Sequence, residues 1–139
     1  MTTSPGPVRA PSVWAAFQAH DPLLVADFLV ALGFERTAVY ADDDDPSFVH
    51  HAQLDWPEGG GVMFGSHKPD HAWSREPGTG GFYVVTADPR AVHAKAVALD
   101  ARIVREPAET DYESFEFALA DPEGNLWSFG TYPGETRTG

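Results

Sequence analysis

The chain has no cysteine among its 139 residues. That excludes a disulfide framework, a thiolate nucleophile and a sulfur-ligated metal. It is also short of positive charge: 9 lysines and arginines face 21 aspartates and glutamates, for a formal net charge of −12. A surface of that sign repels the phosphates of nucleic acid and concentrates cations near it. Long apolar runs are missing too. Nothing approaches the roughly 20 residues that a bilayer-spanning helix needs, and the first seven residues lack the basic-then-apolar pattern of a secretion signal. No nucleophile-elbow motif occurs, and no His/Asp pair is identifiable near Ser128. These absences point to a cytoplasmic protein that engages neither nucleic acid nor membrane.

What is present is enough for one folded domain. Hydrophobic residues make up 42% of a chain long enough to bury a sizeable core. The informative feature is an internal repeat. Asp121-Pro122-Glu123-Gly124-Asn125-Leu126-Trp127-Ser128-Phe129-Gly130-Thr131 echoes Trp56-Pro57-Glu58-Gly59-Gly60-Gly61-Val62-Met63-Phe64-Gly65-Ser66, 65 residues earlier. Pro, Glu, Gly, Phe and Gly coincide. A second echo joins the apolar run ending at Asp21-Pro22 to the one ending at Asp88-Pro89. A fixed period of this kind implies two copies of one supersecondary unit.

The local patterns give each copy the same plan. Val13–Gln18 and Gly81–Thr86 read as strands. Asp21 and Asp88 are good N-caps, with proline at the first helical position after each. Leu24, Phe28 and Ala31 are the expected core stripe of the first helix, and Val92, Ala96 and Leu99 that of the second. Gly33 ends the first helix. Further strands are expected over 34–40, 47–55, 62–65, 101–105, 112–119 and 126–132. The four contiguous aspartates Asp42–Asp45, followed by Pro46, lack the alternate spacing and glycine of a calcium loop and read as a solvated turn. His67 and His71 have helical zinc spacing, but Pro69 lies between them and the required glutamate is absent. The expected organisation is a flexible tail over 1–11, a first βαβββ module over 12–66, a linker over 67–79, a second module over 80–132 and a tail over 133–139.

Two such modules, each with Asp-Pro after its first strand and with Asp-Pro-Glu-Gly-Asn before the last strand, resemble the vicinal oxygen chelate superfamily. That group includes glyoxalase I, extradiol dioxygenases, fosfomycin-resistance transferases and bleomycin-binding proteins. The resemblance covers about residues 12–132 and implies an α+β fold in which two tandem βαβββ modules curve mixed sheet around a cleft, with helices on the outer face. It also implies a homodimer. Enzymes of the group hold a divalent metal through His, Gln or Glu on the first and last strands of each module. Carried onto this chain by spacing from Asp21, Asp88 and Asn125 and by the repeat, those positions are Trp14, Met63, Gly81 and Ser128. None is a competent ligand for a hard or borderline ion, since indole only donates, glycine has no side chain, thioether prefers soft metals and a neutral hydroxyl is weak. The expected cleft therefore holds no metal and no cofactor.

Strand alternation assigns Trp14, Ala16, Gln18, Met63, Tyr83, Val85 and Ser128 to the inner face, and Trp127, Phe129, Phe64 and Phe82 to the helix layer. His50 and His51 are adjacent, so one of them faces inward, and His51 joins the candidate ligand-binding set. Aromatic and apolar residues with a few polar groups suit a small-molecule pocket, and Trp and Tyr stack on planar or cationic ligands. The plain alternative is a collapsed core. The reading is a metal-free protein that binds or sequesters a small cationic or aromatic molecule. The alternative is a lyase, isomerase or dioxygenase of the same superfamily with a relocated metal, for which His51, His20 or an acidic residue would have to reach the cleft.

Overall fold

The structure, a computed structural model, describes residues 11–137. All but Pro11 of the tail expected over 1–11 lies outside the described residues, as do the last two residues of the tail expected over 133–139. Two segments of one plan follow each other. The first comprises β1 (Ala15–Ala19), α1 (Pro22–Leu32), β2 (Glu35–Ala41), β3 (Val49–Asp55) and β4 (Gly61–Ser66). The second comprises β5 (Gly81–Val85), α2 (Pro89–Ala98), β6 (Arg102–Glu109), β7 (Phe115–Ala120) and β8 (Leu126–Gly130). Each set of four strands makes its own mixed sheet, in the order β1-β4-β3-β2 and β5-β8-β7-β6. The first strand of each module runs parallel to the last, with Ala15 opposite Val62 and Gly81 opposite Leu126, and the remaining pairs are antiparallel. The fold is α+β, a tandem of βαβββ units.

Both helices start as their sequences dictate. The Asp21 carboxylate accepts from Leu24 N at 3.2 Å and that of Asp88 from Ala91 N at 3.1 Å, each satisfying an amide that has no partner within its helix. The buried stripe of α1 differs from the expected one. Pro22, Val25, Ala26, Leu29 and Leu32 are buried, whereas Leu24 is 49% exposed, Ala31 is exposed and Phe28 is half-buried. Only Asp27 breaks the apolar run of α1, and the buried stripe is the face opposite it. In α2, Val92 and Ala96 are buried as expected, but the helix ends at Ala98 and Leu99, its C-cap, is 40% exposed.

Each helix packs against one face of its own sheet and, at one side, against the other helix. The helix-facing side chains of both sheets merge into a single core containing Phe34, Leu54, Trp56, Phe64, Phe117, Trp127 and Phe129. Trp127 is fully buried and stacks on Phe82 at 4.2 Å, with edge contacts to Phe17 at 6.2 Å and Phe34 at 5.7 Å in the first module. Its indole donates to Asp121 Oδ2 at 3.0 Å. Asp121 also accepts from Glu123 N, Asn125 N and Asn125 Nδ2, so the Asp-Pro-Glu-Gly-Asn turn is wound around one buried carboxylate. Gly124 takes the positive φ of 102° that the turn requires. Trp56 stands in the first module where Asp121 stands in the second, and its indole donates across the seam to Val85 O at 2.9 Å. Glu58 and Glu123 cross it as well, Glu58 to one backbone amide of the opposite module and Glu123 to two.

Candidate functional site

The sheet faces away from the helices carry the candidate residues. In the first sheet, Met63 lies between Ala16 and Gln53, and His51 is paired with Tyr40. A cavity of about 250 Å³ opens here, lined by Ala16, Gln18, His50, His51, Met63, Lys68, His71 and Trp73 among others. Gln18 Oε1 accepts from Lys68 N at 3.4 Å, which ties the inter-module connection to the floor. Tyr40 stacks on His51 with ring centroids 6.1 Å apart. His50 Nε2 lies 2.9 Å from Asp42 Oδ1 at the rim. That hydrogen bond, with the amides of Asp45 and Asp44, holds the Asp42 carboxyl below its ordinary range.

In the second sheet the centre is a carboxylate. Glu116 is 1% exposed, although β7 carries it on the face without a helix. Tyr83 Oη donates to its Oε2 at 2.7 Å and Ser114 Oγ to the same oxygen at 2.9 Å. Tyr112 Oη and Arg105 Nη2 donate to its Oε1 at 2.5 and 2.9 Å. Burial disfavours the charge, but the bonds from Tyr112, Tyr83, Ser114 and Arg105 outweigh it and hold the carboxyl below the usual range. The phenols respond in the opposite sense. Burial and then the Glu116 carboxylate raise Tyr83, and the hydrogen bond to Glu116 raises Tyr112. Gly130 makes room for this cluster, because a Cβ there would stand 2.3 Å from Tyr83 Oη and 2.6 Å from Glu116 Cγ. Beside it lies a cavity of about 770 Å³, bounded by Tyr83, Val85, Tyr112, Tyr132 and the segment 133–135.

The eight residues singled out from sequence thus fall into groups. Ala16, Gln18, His51 and Met63 meet in the first cavity, and Tyr83 and Val85 in the second. Ser128 sits next to the second group, its Oγ 3.3 Å from Arg105 Nη2. Trp14 stands apart, its indole donating to Pro11 O at 3.2 Å and its ring against Gly61. Phe64, Trp127 and Phe129 are buried in the core, as alternation assigned them.

The four positions corresponding to the family's metal ligands do not fit a divalent ion. The Trp14 N–H is taken up as a donor, Gly81 offers only open space and Ser128 Oγ is bonded by a guanidinium. Among the described residues, no three of His, Asp and Glu come close enough to share an ion. Sequence reasoning missed Glu116, Arg105, Tyr112, Tyr132 and Glu135. The repeat held one usable signal, since Glu116 lies 65 residues after His51 and occupies its place in the second sheet.

A family model described as the Glyoxalase/Bleomycin resistance protein/Dioxygenase superfamily matches residues 14–129. No curated protein sequence matches the chain. Solved structures do. TioX from Micromonospora sp. ML1 superposes with a TM-score of 0.69 at 22% identity, over 86% of this chain and 98% of its own. A superfamily member from Sphaerobacter thermophilus DSM 20745 gives a TM-score of 0.62 at 22% identity, over 88% and 97%. A bleomycin-binding protein complexed with bleomycin gives 0.60 at 17% identity, over 87% and 98%. At these identities the likeness is one of fold.

Proposed function

We propose, from the premise that this chain belongs to the glyoxalase/bleomycin resistance protein/dioxygenase superfamily, that it binds a small organic molecule on its uncovered sheet faces without the family's metal. The observation that carries this reading is the replacement of the metal-ligand positions by Trp14, Met63, Gly81 and Ser128, next to cavities walled by aromatic side chains. The fold is shared with a protein whose structure holds bleomycin, which supports a binding role; nothing in this chain specifies that drug. A homodimer belongs to the proposal. Tyr40, Tyr83 and Val85 are 63%, 43% and 38% exposed on the two faces, and apolar surface left open in this way suits cover by a second copy.

The test is elemental analysis of untagged protein purified without chelator, followed by a thermal-shift screen of small molecules and sedimentation. We expect substoichiometric metal, a set of stabilising organic ligands and a dimer. Stoichiometric Zn, Ni, Mn or Fe that survives dialysis would overturn the reading.

A second reading rests on His50 and Asp42. A carboxylate-oriented imidazole at the edge of a cavity is the arrangement of a general base, and it supports a lyase or isomerase activity at the first face. Loss of turnover in His50→Gln, with ligand affinity retained, is the result that would establish it.

A further inference from the structure

We infer that Tyr83, Tyr112 and Tyr132 wall a site for an organic ammonium cation, with Glu135 as its counter-ion. This rests on the reading of the second sheet face as a ligand site and names the class of ligand it takes.

All three phenols donate to carboxylates: Tyr83 and Tyr112 to the two oxygens of Glu116, and Tyr132 to Glu135 Oε2 at 2.8 Å. A phenol whose proton is committed to a carboxylate has no donor left for an anionic or carbonyl ligand. What it offers is its ring face and its electron-rich oxygen. The rings of Tyr112 and Tyr132 stand edge to face with centroids 5.7 Å apart, so the wall turns a corner as a cage does. Tyr132 is held in place by its own backbone, its amide lying 3.1 Å from both Tyr83 Oη and Ser114 Oγ.

Charge points the same way. Among the described residues, no lysine or arginine lines the cavity. The nearby guanidinium, Arg105, is occupied by Glu116 and Ser128. The ligand therefore meets one carboxylate, Glu135, that no cation neutralises among the described residues. A net charge of −12 adds a field that draws cations in.

Size and chemistry narrow the class. A cavity of about 770 Å³ is that of a small-molecule site. A metal ion coordinated directly by the protein would need a cluster of carboxylate or imidazole donors, which the described residues do not form. A quaternary or alkylated ammonium sheds water easily and is attracted by ring quadrupoles.

The experiment uses the full chain and two probes of one shape, choline and its uncharged isostere 3,3-dimethylbutan-1-ol, followed through tyrosine ring resonances in NMR titrations. Choline should shift the resonances of Tyr112 and Tyr132 and bind at least about ten-fold more tightly than the alcohol, the excess being electrostatic. Tyr132→Ala and the exposed, fold-neutral Glu135→Gln should each weaken choline at least about three-fold, while Tyr132→Phe keeps the ring and most of the affinity. Equal binding of the two probes, or choline binding indifferent to both Glu135→Gln and Tyr132→Ala, would overturn the inference. If a neutral ligand maps to His51 and Met63 and choline produces no shift, the cage is wrong and the general binding role stands. If no ligand of any class perturbs either face, both fall.

Discussion

Glu58 and Glu123 hold the same place in the two halves of the chain, and each ties down the strand-to-helix turn of the other half. Glu123 accepts from His20 N at 2.7 Å and Asp21 N at 2.6 Å. Glu58 accepts from Ala87 N at 2.9 Å. The exchange is reciprocal, so the internal repeat is also a pseudo-two-fold relation in space, and the two turns that look alike in sequence are alike because they perform the same clasp.

The clasp sets the first prediction. Glu123→Ala removes two charge-assisted bonds and leaves two amides without their carboxylate, and should cost about 1–2 kcal/mol. Glu58→Ala removes one bond and should cost less. Urea denaturation of both variants, with unchanged m-values, measures the order; equal losses would show that the count of bonds is not what matters.

Glu116 makes stability depend on pH. Its folded-state pKa lies below the unfolded value of about 4.3. The stabilisation is therefore complete above the unfolded value and is lost as pH falls through the folded one. Glu116→Gln should lower stability at neutral pH by about 1–3 kcal/mol and flatten the acid limb of the stability curve. Denaturation at a series of pH values from neutral to strongly acidic reads both effects.

Gly130→Ala places a Cβ where Tyr83 Oη and Glu116 Cγ already stand. Those atoms must move, and overpacking of this kind costs about 1–3 kcal/mol. The variant should melt earlier and should also lose binding at the second face, since Tyr83 is displaced from it. A stable variant with intact binding would mean that the cluster is softer than its contacts indicate.

Trp127 joins the two halves through Phe17 and Phe34, and within its own half it stacks on Phe82 and donates to Asp121. Trp127→Ala should cost about 3–5 kcal/mol. Trp127→Phe, which keeps most of the ring but leaves Asp121 one donor short, should cost less. Calorimetry decides between a cooperative loss and a split transition, and the shared core predicts a single one.

Much of this architecture was legible beforehand. The repeat, the Asp-Pro helix starts and the Asp121 turn are local signals, and each appears where the residues placed it. The errors have physical causes. In α1 nearly every side chain is apolar, so counting apolar spacings cannot choose a face, and Leu24, Phe28 and Ala31 looked as good as Val25, Leu29 and Leu32. Asp27 carried the answer, for its salt bridge to Arg36 marks the solvent side. The Glu116 cluster was hidden for another reason. The partners of Glu116, Tyr83 and Arg105, lie 33 and 11 residues away along the chain, and no spacing rule reaches them.

The parallel pairing of β1 with β4 and of β5 with β8 bears on how the chain is made. A ribosome releases β1 long before its neighbour, so the first strand waits unpaired until Ser66 has emerged. Even then the first half lacks the Glu123 carboxylate at its helix entry and the Trp127 ring in its core, both of which arrive only with the second half. The first half is thus born incomplete, and a chain stalled anywhere before β8 exposes the aromatic seam that the final strand would have covered.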